Sequence, residues 1–509
     1  MASSAQASQP HSPTVTISDG TLAGKSENGA DIYLGIPFAA PPVGSLRWMP
    51  PAPPKSWTGV RTATSFRSRC AQNSPARPIE KFRDEDCLYL NVYSPTGKRP
   101  HLPVIVWIYG GGFMGGSSQD HDGSVLARKA HAVVVTFNYR LGAFGLLSLP
   151  ELDKESASHT SGNYSILDQQ AALRWVAKNI AHFAGDPSKV TLMGESAGGM
   201  SVWDQVYSAS SVGLFSRAIV ESGRISLLKA KDEEQRSGTS AGFLAASGCE
   251  KRTDLLACLR SLSADQVFDA SIQALRDGEE WNVIGDGIVM PRDMLEAAQT
   301  SNRSVPVIAG TNAREGGFYI QKRRSDGLAP LTAEQYRRHL DQRYSDPALA
   351  ARYASSVDLN PEEAWASLST DLFACNNMRL KRIAEKRGRT FYAYEFGDWN
   401  AAATVFKVAE PAHGPFHGSE IPYFFQTPFP DEPGATLTLD EGQMKLSNRI
   451  IESIKHFIRG DKLSSPWSDG GIALLTPTGD QTESIGDFER RHNCQLFSGH
   501  IPSKSPGHL

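Results

Sequence analysis

The chain has 509 residues, of which 40% are hydrophobic and 21% charged, with a formal net charge of −3. That is the composition of a globular protein, and so small a charge over this length supplies no one-signed field to hold nucleic acid or an anionic membrane surface. The longest apolar runs, such as Ala132–Phe137, fall far short of the ~20 residues of a membrane helix, so no membrane span is expected.

The N-terminal stretch MASSAQASQPHSP has no charged region followed by an apolar one, so no signal peptide is expected in this chain. Ala5-Gln6-Ala7 has the small-x-small form of a cleavage site, as a removed signal would leave. Residues 1–13 read as a tail, 14–500 as a single domain and 501–509 as a second tail. Within the domain, short apolar runs alternate with helical periodicity. That pattern argues for an α/β fold with a mostly parallel sheet flanked by helices.

In chain order the predicted strands are Val104–Tyr109, Ala132–Asn138, Val190–Met193, Ala218–Glu221, Val305–Ala309 and Phe391–Phe396. Helical periodicity runs from Ile166 to Ile180. Residues 224–300 are more polar and read as a helical excursion, the expected place for an insertion covering the active site. Ile450, Ile451, Ile454, Phe457 and Ile458 form one apolar stripe, and Gly460 stands where that helix would stop. No Pro- or Gly-rich linker divides the chain.

Two of these strands run into motifs that carry chemistry. The first ends in Tyr109-Gly110-Gly111-Gly112-Phe113. A tetrahedral ester intermediate needs backbone N–H groups aimed at its oxyanion, and losing one donor typically costs about 100- to 1,000-fold in turnover. The glycines lie about 85 residues before Gly194-Glu195-Ser196-Ala197-Gly198, the Gly-x-Ser-x-Gly of a nucleophile elbow placed directly after a strand. Ser196 is therefore the candidate nucleophile. Gly111, Gly112 and the amide of Ala197 are the candidate oxyanion donors.

Six cysteines, Cys70, Cys87, Cys249, Cys258, Cys375 and Cys494, allow fifteen pairings, and sequence alone does not choose among them. The close pairs Cys70/Cys87 and Cys249/Cys258 stand out. Disulfides closing short loops fit a secreted or periplasmic protein, whereas six buried thiols would fit a cytosolic enzyme. With no Cys-x-x-Cys, neither a zinc site nor any other metal or cofactor is expected.

The chain resembles the type-B carboxylesterase/lipase family, which includes cholinesterases and microbial esterases. Beside the two glycine motifs, the resemblance rests on Gly35-Ile-Pro-Phe-Ala-Ala-Pro-Pro-Val-Gly44, Leu46-Arg47-Trp48, Glu85-Asp-Cys-Leu-Tyr-Leu-Asn-Val-Tyr93, Asn138-Tyr-Arg-Leu-Gly-Ala-Phe-Gly145 and Leu167-Asp168-Gln169. It extends from about residue 14 to about 500. It implies the α/β-hydrolase fold, with helical insertions over the active site, and the hydrolysis of small-molecule carboxylic esters. Gly310-Thr-Asn-Ala-Arg-Glu315-Gly316 resembles the segment that bears the family's acidic residue, Glu315 here. His417-Gly418-Ser419-Glu420 resembles the segment that bears its base, so His417 is chosen over the nearby His413. The chain order Ser196, Glu315, His417 is that of an α/β-hydrolase triad. Ser222 resembles a residue that hydrogen-bonds within the triad, and Glu195 a buried scaffold residue. Arg47 with Glu85, and Arg140 with Asp168, resemble buried ion pairs. Taken with the resemblance, the cysteine pattern points to Cys70–Cys87 and Cys249–Cys258 bridges, with Cys375–Cys494 as a third. Ala184 stands where the family usually has glycine; being small, it is expected to have little consequence. Of two glycosylation sequons, Asn163 falls in a segment the family buries, which leaves Asn302.

The competing class is a catalytically inactive adhesion or scaffold protein, of which this family contains examples lacking the serine. The presence of Ser196, Glu315 and His417 together weighs against it. Phe82 is the only aromatic residue in 71–86, and no Trp is present there to bind a quaternary ammonium. Arg77, Lys81, Arg83 and Asp84 in that loop favour a soluble ester over a long-chain lipid. Arg224, just after Ser222-Gly223, is a candidate to pair with a carboxylate on an acidic acyl group.

Overall fold

The computed structural model describes residues 12–497 apart from 74–80, 98–99, 227, 276–279, 344–346, 355–359, 403–413, 429–436 and 468–469. The proposed terminal tails therefore fall almost wholly outside the described residues.

A sheet of 11 strands runs through the molecule. In chain order its strands are β1 (Lys25–Glu27), β2 (Ala30–Pro37), β3 (Tyr89–Pro95), β4 (Leu102–Ile108), β5 (Val133–Phe137), β6 (Gly185–Glu195), β7 (Arg217–Glu221), β8 (Val307–Asn312), β9 (Phe391–Phe396), β10 (Ile472–Leu475) and β11 (Gln481–Glu483). Across the sheet they lie in the order β1-β2-β3-β5-β4-β6-β7-β8-β9-β10-β11. The strands from β5 to β10 are parallel, and antiparallel pairs close the two edges. Parallel strands buried on both faces read as unbroken apolar runs, which is why all six predicted strands recur here with ends shifted by a few residues. The antiparallel edge was not predicted as strand. Gly35 and Pro37 interrupt the pattern of β2, although all eight of its residues are buried.

Helices cover the sheet. Tyr164–Asn179 and Glu441–Arg459 are the two expected from periodicity. The second begins with an Asp440–Gln443 capping box, buries Ile450, Ile451, Ile454, Phe457 and Ile458, and ends on Gly460 at φ +90°. Residues 224–300 hold five helices, from Lys231–Ser237 to Met294–Thr300, among the described residues. A second helical excursion follows β8: Gly317–Ser325, Ala333–Arg343, Pro347–Ala354 and the long Pro361–Lys386. It has a satellite core of its own around Tyr336, Leu340, Tyr353, Trp365, Leu368 and Phe497.

Three disulfides cross-link the chain. Cys70–Cys87, Cys249–Cys258 and Cys375–Cys494 join positions 17, 9 and 119 residues apart. Closing the longest loop removes the most freedom from the unfolded chain, by about 4–5 kcal/mol on a chain-entropy account. Arg47 chelates Glu85 and also donates to the carbonyls of Leu259 and Leu262, which anchors the first excursion. Arg140 pairs bidentately with Asp168 at 2.8 and 2.7 Å. Both pairs are the ones the resemblance implied.

Ala184 departs from expectation. Its φ is +70°, the left-handed region. The relevant difference from glycine there is backbone freedom rather than size, and a Cβ in that conformation costs roughly 1–2 kcal/mol.

Candidate active site

The loops at the carboxyl ends of β4, β6, β7, β8 and β9 share one edge of the sheet, where open α/β sheets place their ligands. Ser196 follows β6 at the centre. Its φ of +57° and ψ of −123° are a strained pair for a residue with a side chain. Main-chain bonds hold the strain: the Ser196 amide donates to the Glu221 carbonyl at 3.0 Å, and the Met200 amide donates to the Ser196 carbonyl at 2.8 Å. The turn also needs a residue without a side chain, because a Cβ at Gly198 would lie 2.0 Å from the Ile108 carbonyl oxygen. The helix Ala197–Tyr207 starts at once. The Ala197 amide, in its first turn, has no acceptor within the helix, and the helix N-terminus favours negative charge beside Ser196.

Gly110, Gly111 and Gly112 leave β4 alongside this turn. A Cβ at Gly110 would come within 2.8 Å of Cβ of Ser196, so the two loops touch. Gly111 and Gly112 take positive φ, are exposed, and donate no hydrogen bond from their amides among the described residues. Both amides are open to an incoming oxygen.

His417 bridges Ser196 and a carboxylate. Its Nε2 is 2.6 Å from Oγ of Ser196, and its Nδ1 is 2.6 Å from Oε2 of Glu315. Glu315 is fully buried, and its other oxygen accepts from the Thr311 hydroxyl and the Asn312 amide, each at 2.7 Å. Burial would lower the His417 pKa, but the facing carboxylates of Glu195, Glu315 and Glu420 outweigh it and raise it to about 9. Phe318 and Phe373 pack on the imidazole with ring centroids 5.4 and 5.2 Å away. Both come from the second helical excursion, at positions that carry no local motif. His413 lies outside the described residues.

Beneath this row lies a bed of buried acids. Glu195 approaches His417 Nε2 at 3.4 Å, and burial pushes its carboxyl up to about 8. Glu221, opposite Glu195 on β7, is raised well above the carboxylate range by burial and by Glu420 and Glu195. Ser222 does not bond within the triad as expected. Its hydroxyl donates to Glu420 at 2.7 Å. Asn312 joins that carboxylate to Glu315, because its side chain donates to Glu420 while its own amide donates to Glu315. Ser222 follows strand β7, which β8 separates from the loop after β9 that carries His417, and its hydroxyl meets the more distant Glu420. Asn312 and Glu420 both stand inside the quoted motifs, yet nothing in their spacing assigns them this link.

Arg224 is buried, at 6% exposure, and its guanidinium forms no hydrogen bond or ion pair among the described residues. The next amide, Ile225, donates to Asn376 at 3.1 Å, on the same helix as Phe373. Arg83, in the loop 71–86, pairs with Asp265 at 2.8 Å and lies over the Phe268 ring. Arg77 and the Lys81 side chain lie outside the described residues. Phe82 packs under the Arg69 guanidinium. Asn163 is buried and Asn302 exposed. Among the described residues, no group of three or more His, Cys, Asp or Glu is arranged to hold a metal ion, and no helix is long and apolar enough to cross a membrane.

The chain was compared with known proteins. The sequence profile of the carboxylesterase family matches residues 11–482. Fumonisin B1 esterase of Sphingopyxis macrogoltabida is 37% identical over 492 residues, covering 94% of this chain and 85% of that one. Para-nitrobenzyl esterase of Bacillus subtilis is 34% identical over 425 residues, covering 81% and 82%. Among solved structures, a thermophilic PNB esterase superposes with a TM-score of 0.80 at 29% identity, covering 95% of this chain and all of that one. The carboxylesterase EST55 of Geobacillus stearothermophilus gives 0.78 at 29%, covering 94% and 99%. The fold they share with this chain is the α/β-hydrolase fold.

Proposed function

Because the chain belongs to the carboxylesterase family and is a serine carboxylesterase acting on small-molecule esters, we propose that it works through Ser196, His417 and Glu315 by way of an acyl-enzyme. The observation that carries this reading is the continuous run from Ser196 through His417 to Glu315, with 2.6 Å at each link. His417 takes the Ser196 proton as Oγ attacks the ester carbonyl. The tetrahedral oxyanion is received by the amides of Gly111, Gly112 and Ala197. His417 then returns the proton to the departing alcohol, and water repeats the sequence on the acyl-enzyme. Glu315 fixes the imidazole tautomer and, with Glu195 near Nε2, favours the imidazolium that forms at each transfer.

Two measurements test this. An organophosphate should label Ser196 stoichiometrically. Ser196→Ala should lose about 10⁶-fold in kcat with the fold intact. More than a few per cent of residual activity in a clean preparation would defeat the assignment.

On the acyl side, Arg224 is the proposed reader of an acidic acyl group. A buried guanidinium with no carboxylate partner among the described residues is costly unless a ligand supplies one. Arg224→Ala should lose about 1.5–3 kcal/mol on an ester with a free acyl carboxylate and little on its neutral analogue. Equal losses on both would show that Arg224 does not read the acyl group. The three disulfides favour an oxidising compartment, secreted or periplasmic.

A further inference from the structure

Glu315 and His417 are joined directly by their side-chain hydrogen bond at 2.6 Å and by the His417 amide, which donates to the Glu315 carbonyl at 3.4 Å. A further joint runs through the residues immediately before them, Arg314 and Phe416. The Arg314 guanidinium lies over the Phe416 ring, 5.0 Å from its centroid. The Arg314 amide donates to the Pro415 carbonyl at 3.1 Å. The far side of the guanidinium is held by Glu363, in the first turn of the helix Pro361–Lys386, which Asn360 caps. Phe416 is confined on its other sides too. A Cβ at Gly317 would fall 2.1 Å from the ring, and the Asn312 side chain donates to the Phe416 carbonyl at 2.6 Å.

We infer that Arg314 is a positioning residue: by stacking on Phe416 it sets the separation of Glu315 and His417. The ring has little freedom to slide, so its cover decides where the following residue sits. Phe416 is buried, while the Arg314 side chain is 23% exposed. As a plain surface ion pair, Arg314–Glu363 would add little to stability and nothing to turnover. As a clamp on the base it governs turnover, because a displacement of about 1 Å at a catalytic group costs on the order of 100-fold.

The inference rests on the assignment of Glu315 and His417. The test uses Arg314→Met, which keeps aliphatic cover without the cationic plane, with Arg314→Lys, Phe416→Leu and the Arg314→Met/Phe416→Leu pair. Arg314→Met should lower kcat about 10- to 100-fold and leave KM within about twofold, as expected when an interaction is lost only in the transition state. Arg314→Lys, which keeps the Glu363 pair but not the planar stack, should recover part of the loss. In the Phe416→Leu background Arg314→Met should cost little more, since the transmitting ring is gone. An unchanged kcat in Arg314→Met, a rise in KM alone, or an undiminished loss in the Phe416→Leu background would overturn the inference. Activity retained by His417→Ala would defeat the triad assignment itself. An inactive His417→Ala beside a silent Arg314→Met would defeat only the clamp.

Discussion

Two histidines in this molecule have nearly the same surroundings and, in the proposed mechanism, different work. His417 lies between Glu315 and Ser196, with Glu195 at 3.4 Å. His492, near the C-terminus, lies between Asp371 and Glu395 at 2.8 Å on each side, where Arg491 shares Glu395. Burial lowers both pKa values, and carboxylates outweigh it in both, raising each to about 9. The difference is the second partner. One nitrogen of His417 faces a hydroxyl beside an open glycine loop, so its proton has somewhere to go. Both nitrogens of His492 face carboxylates, with Nε2 also 2.9 Å from the Arg491 guanidinium that shares Glu395, so its proton is held and the imidazolium becomes a bolt. That bolt joins helix Pro361–Lys386, β9 and the C-terminal segment, next to the Cys375–Cys494 bridge. A raised pKa in a buried site therefore does not by itself mark catalysis.

The sharpest way to break this comparison is to remove each imidazole in turn. His417→Ala should cost on the order of 10⁶-fold in kcat and, by stranding the buried Glu315, should also lower the melting temperature. His492→Ala should lower the melting temperature and spare turnover. It strands two buried carboxylates, at a cost of about 3–5 kcal/mol, while activity per folded molecule stays near wild type. Denaturant titration alongside active-site labelling separates the two outcomes, and a His492→Ala protein that is stable but inactive would erase the distinction.

Stability against pH sharpens the structural half. The folded pKa of His492 is raised, so its contribution is complete below the unfolded value of about 6.5 and fades as pH rises through about 9. Burial would raise Glu395, but bonds from His492 and Arg491 hold it below the ordinary carboxylate value. Its contribution is therefore present above about 4.5 and lost on acidification through its lowered folded pKa. Wild type minus His492→Ala should show a plateau between these limits and converge toward alkaline pH. A difference that grows through pH 9 would contradict the bolt.

The smallest expected effect concerns the catalytic half. In the proposed mechanism His417 must be neutral to accept the Ser196 proton, so kcat/KM should climb with pH along a limb lying above the ordinary imidazole value of about 6.5. Glu195→Gln removes one facing carboxylate and should move that limb to lower pH. A profile that does not move would mean Glu195 leaves the imidazole unbiased.

Much of this was legible from residue order. Ser196 is positioned by its own neighbours: a buried strand before it, Gly194 and Gly198 around it and a helix after it. Such local steric demands leave a motif. The six central strands were visible because strands covered on both faces must be apolar throughout, and the stripe from Ile450 to Ile458 because one helical face is buried. Glu315, His417 and the disulfide pairings were reached through resemblance rather than spacing. Only tertiary structure decided what depends on residues distant in the chain. It brought Phe318 and Phe373 onto His417, turned Ser222 to Glu420, committed Arg83 to Asp265 and buried Arg224 without a carboxylate partner among the described residues. Nothing in the residue order separates His417 from His492 as buried, carboxylate-bound imidazoles. Their difference is the identity of one facing atom, a hydroxyl oxygen or a carboxylate oxygen, and that is settled only when segments some hundred or more residues apart pack together.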